Sequence, residues 1–246
     1  MLILKPHIFN EFPEIIFGFS TKYGTDHKPP YYFNLSFSVD DNKEKVLNNR
    51  ELFFSSIGLS INSAVFQKQV HGDAITYART PGNIGESDAM ITDKMNVALS
   101  ISTADCTAVF FYDLKRKIIA AVHSGWRGTQ QKITEKTVAK LKSEFGCDPA
   151  DLFVYLAPSI SRVNYEIGPE VAEFFEAEYL DKKGDKFLLD VAAANYDMLI
   201  NEGIPSSQVQ RSELCSFEYN ELLHSYRRDG KLSGRALGVI AMKDPV

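Results

Sequence analysis

The chain has 246 residues, 44% of them hydrophobic and 24% charged, with a formal net charge of −5. That make-up supports a sizeable core, argues against a generic nucleic-acid or anionic-membrane binder, and contains no run near the ~18 apolar residues of a membrane-spanning helix. Three cysteines (Cys106, Cys147 and Cys215) are too few for a disulfide framework, and Met1–Pro6 lacks the charged and apolar regions of a secretory leader, so free thiols and a cytoplasmic location are expected.

Taken in order, Phe17–Ser20 reads as a strand entering a loop. Thr21–Asn34 (TKYGTDHKPPYYFN) is rich in turn residues and is expected to wrap the surface. A helix is expected from Asp40-Asp41, with Val46, Arg50, Phe53 and Ile57 at helical spacing and Gly58 as its stop. Arg50 falls at the border of the buried face, as either a flanking surface cation or an anion-binding one. Val65–Val70 reads as a strand running into His71, with Gln69 inside it. In the turn before Met90, Asp88 suits either a turn cap or an acceptor that orients a histidine.

The stretch Ser102–Gly128 (STADCTAVFFYDLKRKIIAAVHSGWRG) organises the rest. Thr107–Tyr112 and Lys117–Val122 read as two strands around the loop Asp113–Arg116. A hairpin returns its outer ends to each other, so Cys106 and His123 should be neighbours. With His71 at another strand end, one thiolate and two imidazoles supply three of the four ligands of a tetrahedral zinc. Beyond His123, Ser124–Gly128 leads into a helix expected to be capped by Thr129, faced by Ile133, Thr137, Leu141 and Phe145, and ended by Gly146. Its N-terminus and Arg127 would suit an anion, or the glycines merely make a tight turn and Trp126 fills the core.

Leu152–Leu156 is a further strand. Pro169 starts a helix whose Val171, Phe174, Phe175 and Tyr179 are expected to face the core. Glu166, just before it, is either a surface acid or a proton-moving group. Asp190 caps the next helix, and Cys215 reads as a buried hydrophobe. The adjacent pair Arg227-Arg228 reads either as two surface cations or, preceding a Gly-rich turn and the final strand, as a pair of which one reaches inward. Ala236–Met242 is the last strand. No repeat, low-complexity stretch or long linker interrupts residues 1–246, which read as one domain.

The segments QVHG, SDAMIT, TADCTAVFFYD, AAVHSGWRGT, APSISRVNYEIG and SYRRDGKLSGR, in that order, resemble the YfiH-like laccase-domain family, whose members carry the older name polyphenol oxidase and the newer name purine nucleoside phosphorylase. The likeness runs from Phe19 to Arg235. It implies an α+β, CNF/YfiH-like fold of mixed β-sheets with flanking helices. It also implies a zinc-dependent purine nucleoside phosphorylase acting on adenosine, inosine and S-methyl-5′-thioadenosine, with adenosine deaminase activity. The family's metal ligands fall on His71, Cys106 and His123. Catalytic roles map to Cys106, His123 and Glu166, and substrate or phosphate contacts to Asn34, Arg50, Gln69, Arg127 and Arg227. The chain departs from the family pattern at Lys22-Tyr23-Gly24 and at Arg162-Val163-Asn164, where relatives often carry a cysteine. Expected partners are a small nucleoside and phosphate, with no nucleic acid and no membrane, in a monomer or homodimer. Copper binds such ligands in vitro, but five histidines in all, with His7 and His27 in turn-rich segments, are poor provision for a multicopper oxidase. A metal-free Cys106–His123 hydrolase editing peptidoglycan precursors is the third reading, and a non-catalytic binding module the fourth.

Overall fold

The computed structural model describes residues 1–25 and 28–243; His27 lies outside them. Strands β1 (Ile3–Leu4) and β2 (Ile15–Ser20) precede helix α1 (Lys43–Ser56). Then come β3 (Ala64–Lys68), β4 (Ile75–Tyr77), β5 (Gly82–Glu86), β6 (Ala89–Thr92), β7 (Ala98–Thr103), β8 (Thr107–Asp113) and β9 (Ile118–Ser124). Helices α2 (Trp126–Gln130) and α3 (Ile133–Phe145) follow, then β10 (Leu152–Leu156), β11 (Glu166–Ile167), α4 (Pro169–Ala172), β12 (Leu180–Lys183), β13 (Lys186–Leu189), α5 (Val191–Asn201), β14 (Val209–Arg211), α6 (Tyr226–Asp229) and β15 (Ala236–Met242).

These strands make two six-stranded sheets, ordered β1-β2-β15-β7-β3-β5 and β14-β10-β8-β9-β6-β4, and a small third, β11-β13-β12. Both large sheets mix parallel and antiparallel pairs. Side chains alternate across a strand, so a strand with two covered faces must be apolar throughout. Every residue of β8, β9 and β15 is buried. One set of alternate residues, including Phe17, Leu99 and Ile240 from the first sheet and Phe110, Tyr112 and Ala121 from the second, fills the space between the sheets. The opposite set on the second sheet (Val109, Phe111, Ala120, Val122) packs against Ile133, Val138 and Leu141 of α3 and Leu199 of α5. On the first sheet, Leu237, Val239 and Ala241 pack against Phe53, Phe54 and Ile57 at the end of α1. The layers therefore run helix, sheet, sheet, helix.

Several local expectations shift. Helix α1 begins at Lys43 because the Asn42 side chain accepts from Lys45 N, a capping bond that neither Asp40 nor Asp41 makes. The helix after the hairpin is two helices. Lys132 adopts a left-handed conformation between them, and Thr129 lies inside α2, donating to Gly125 O, so Gly125 and not Thr129 is the cap. The long helix that would focus a dipole thus starts at Ile133, and the loop beside His123 leads only into the single short turn of α2. Helix α4 ends at Ala172, leaving Phe174 half exposed, and the chain forms the β12–β13 hairpin around Gly184 at φ +61°.

Candidate metal centre and its cavity

The hairpin expectation fixes the centre. β8 and β9 pair Thr107 with Ser124 and Ala108 with His123. Cys106, one residue before Thr107, therefore meets the Gly125 end of β9. A Cβ at Gly125 would lie 2.8 Å from Cys106 Sγ and 3.2 Å from a His71 ring carbon, so glycine is what allows this approach. His71 comes from the far sheet, past the end of β3, at φ +61°. Asp88 holds it there. Its carboxylate accepts from Val70 N at 3.1 Å, His71 N at 3.0 Å and Gly72 N at 2.8 Å, and also faces His123 Nδ1 at 2.8 Å. The two readings of Asp88 are both realised: it caps the turn and orients the histidine.

The ligand atoms of His71, Cys106 and His123 lie within 4.8 Å of one another, and they form the one such group found among the described residues. With Nδ1 taken by Asp88, Nε2 of His123 is the nitrogen left for an ion. Burial penalises charge here, yet the surrounding imidazoles outweigh it for Cys106 and hold its thiol down to about 6. Burial likewise works against the His123 cation, but the thiolate and the Asp88 carboxylate raise it to about 9. Asp88 is kept low against its own burial by His123 and the Gly72 and Val70 amides. A thiolate and two imidazoles at this spacing fit a metal that accepts sulfur and nitrogen donors.

The centre opens into a cavity of about 980 Å³. Four arginines line it: Arg50, Arg127, Arg227 and Arg235. Arg50 Nε donates to Leu35 O, and its guanidinium lies between the rings of Phe37 (4.4 Å) and Phe66 (4.2 Å). Burial pushes it down to about 10. No carboxylate forms an ion pair with it among the described residues. Arg127 lies over Trp126 and Arg227 over Tyr165. The sequence reading missed Arg235, which is held by Ser233 O and Gly234 O, and Asp105, whose signal was the residue directly before the cysteine. Phe37, Phe66, Tyr165 and Tyr226 add aromatic surface to the walls.

Three expected site residues stand differently. Glu166 does not line the cavity. Its carboxylate turns to Lys186 at 2.6 Å and Lys183 at 3.3 Å, which hold it below the usual carboxylate range, and only its backbone oxygen faces inward, accepting from Arg227 Nη1. Alternation within β11 explains this: Ile167 is buried among Ala172, Leu189 and Val191, so its strand neighbour Glu166 faces the other way. Asn34 is fully buried outside the cavity lining. Its amide oxygen accepts from Ser36 N and Arg235 N, and its NH2 donates to Ser36 O and Asp41, so its side chain shapes the Ser36–Ser38 loop. Gln69 lines the cavity, but its amide pairs with Ser102 N and O as a strand neighbour would. Cys215 is buried, as expected, and its sulfur accepts from Ser161 N.

A two-sheet sandwich flanked by helices, with a Cys-His-His group at the mouth of an arginine-lined cavity, is a candidate metalloenzyme scaffold. The chain belongs to the multi-copper polyphenol oxidoreductase laccase family, whose model matches residues 16–243. It is 30% identical to the purine nucleoside phosphorylase YlmD of Bacillus subtilis (94% of this chain, 90% of that protein) and 33% identical to the purine nucleoside phosphorylase YfiH of Escherichia coli K12 (90% and 91%). Among solved structures it is similar to the hypothetical protein YfiH of Bacillus licheniformis, with a TM-score of 0.92 at 27% identity covering 98% of this chain and 96% of that one. YlmD of Geobacillus stearothermophilus gives a TM-score of 0.90 at 26% identity, covering 95% and 93%. Among the described residues no helix is long and apolar enough to cross a membrane.

Proposed function

We propose that the protein is a zinc-dependent purine nucleoside phosphorylase acting on adenosine, inosine and S-methyl-5′-thioadenosine, with adenosine deaminase as a side activity. The observation that carries this is the convergence of His71, Cys106 and His123 on a cavity whose other charged groups are mostly arginines. The names of the relatives support the phosphorolytic class.

His71, Cys106 and His123 would hold the zinc, which supplies Lewis acidity and makes water more acidic. The arginines do the rest of the electrostatic work. Phosphorolysis forms a bond from a phosphate oxygen to the anomeric carbon as the glycosidic C–N bond breaks and its electron pair leaves with the purine. A phosphate must therefore be bound, have its charge balanced and be aimed, which suits the forks of Arg127 and Arg227. Tyr165 and Tyr226 offer faces for a purine. In deamination, water replaces the amino group at C6 and ammonia leaves, with no phosphate required. Glu166 has no place in either reaction, since its carboxylate is tied to two lysines outside the cavity. The protein works on small molecules, in the cytoplasm, as a monomer or homodimer.

The family's copper name fits less well. A multicopper oxidase needs a histidine-rich cluster, and the chain has five histidines in all. Copper taken up by the same three ligands in vitro is expected. A metal-free Cys106–His123 hydrolase has one observation in its favour, the thiol held down to about 6. The test is adenosine with and without phosphate, on protein of known zinc content. Adenine released only with phosphate supports the proposal. Hydrolysis that survives chelation, with no phosphate dependence, favours the thiol enzyme.

A further inference from the structure

Asp105 sits between Cys106 and the end of β7 in a backbone conformation that side-chain-bearing residues rarely adopt, at φ +95°. Such strain persists only where surrounding structure over-determines it. Here the over-determination is visible. The Asp105 carboxylate accepts from Ser216 Oγ at 2.6 Å and from the backbone N–H of Arg227 at 2.6 Å. Its carbonyl accepts from Ile160 N at 2.9 Å. On its other side Thr103 Oγ1 donates to Cys106 O at 2.6 Å, closing the turn. One side chain thus ties three segments far apart in sequence: the turn carrying Cys106, the Cys215-Ser216 segment, and the first turn of α6.

Helix α6 has only four residues and ends at a glycine, so it has little internal means of holding its place. Its own cap is Ser225, which accepts from Arg228 N. Arg228 anchors the far side, donating to Ser216 O, Phe217 O and Leu223 O. The side facing the cavity is anchored by Asp105. Arg227 then extends over Tyr165 at 4.9 Å, with Nη1 on Glu166 O.

We infer that Asp105 is a positioning residue: by clamping the Arg227 backbone to the strained turn that presents Cys106, it sets where the Arg227 guanidinium stands relative to the thiolate. The part of this that concerns phosphate rests on the phosphorylase reading. The clamp itself does not. Asp105 touches neither reacting atom in this scheme, and its effect passes through Arg227.

The test separates the two. Asp105→Gly removes the carboxylate while accepting the positive φ without penalty, so it should fold. Asp105→Asn retains one acceptor oxygen and tolerates the same backbone. Hydrogen exchange of residues 225–230 reads the clamp without any assay: protection should fall in Asp105→Gly, fall less in Ser216→Ala, and be largely restored in Asp105→Asn. Unchanged exchange in Asp105→Gly would overturn the proposal. The phosphate KM reads the consequence. It should rise roughly tenfold in Asp105→Gly, with zinc per chain unchanged, and Asp105→Gly should add little in an Arg227→Ala background. Losses that add fully in the double variant would mean that Asp105 only supports the fold, and would also overturn it. If the native protein shows no phosphorolysis, the function reading fails and hydrogen exchange alone decides the clamp.

Discussion

The two walls of the cavity are built on opposite principles. On the wall bearing the metal ligands, polar groups have protein partners: Asp88 satisfies three backbone amides and His123 Nδ1, and Gly125 leaves room for Cys106 and His71 to meet. On the wall bearing Arg50, a largely buried cation sits between two aromatic rings with one hydrogen bond and no ion-paired carboxylate among the described residues. A pre-satisfied wall holds its geometry before anything binds. A wall with unbalanced positive charge is completed by an anion. The difference separates Asp88, whose carboxylate is satisfied within the protein, from Arg50, whose charge is not balanced by a neighbouring carboxylate among the described residues, although both are polar and near the site.

If the first wall is scaffold, removing Asp88 should break it. Asp88→Ala leaves His123 and three amides without their acceptor and should cost about 3–5 kcal/mol in stability, with zinc content falling as well. Urea denaturation and metal analysis check this, and a variant of native stability with full zinc would contradict the scaffold role. If the cavity's arginines take a phosphate, as proposed, Arg127→Ala should raise the phosphate KM by about 10- to 100-fold and spare deamination, because only phosphorolysis places a phosphate. Equal loss of both activities in a folded variant would contradict it.

His224 sharpens the comparison from outside the cavity. It is buried, and burial together with the nearby Lys22 charge pushes its imidazole down to about 3. Its folded value lies below its unfolded one, so the unfolded chain binds the extra proton. Stability is therefore intact above pH ~6.5 and falls as the pH drops toward 3, by about 1.4 kcal/mol per pH unit from this group. His224→Gln should show a correspondingly shallower slope in stability measured from pH 6.5 to 4, and an identical slope would mean that His224 charges freely in the fold. The smallest effect is expected at Glu166. Glu166→Gln should change turnover by less than about twofold, since only the backbone of this residue reaches the cavity side. A collapse in kcat would show that the carboxylate swings inward.

Much of this was legible from the residues. The hairpin around Asp113–Arg116 brought Cys106 to His123 because strand patterning fixes which ends meet. His71 was read as the third ligand from its place at another strand end, but how it reaches the other two depends on the far sheet and on Asp88, which no local pattern reveals. Glu166 stayed open between a surface acid and a proton-moving group because a two-residue strand has too short a pattern to show which way a side chain points. The one-turn α4 and the β12–β13 hairpin were hidden because Val171, Phe174, Phe175 and Tyr179 recur at helical spacing although the chain turns away. Asp105 was missed because its carboxylate acts through segments more than a hundred residues distant, and Arg235 because its place on the cavity depends on a backbone bond to the equally distant Asn34.

The most direct measurement is zinc per chain in the native protein and in His71→Ala, Cys106→Ser and His123→Ala, with folding checked by circular dichroism. A shared ion predicts about one zinc in the native protein and loss of zinc and activity together in all three variants, with partial rescue of Cys106→Ser by added zinc. A native protein fully active without metal, or a His71→Ala variant that keeps its full zinc, would contradict the three-ligand site.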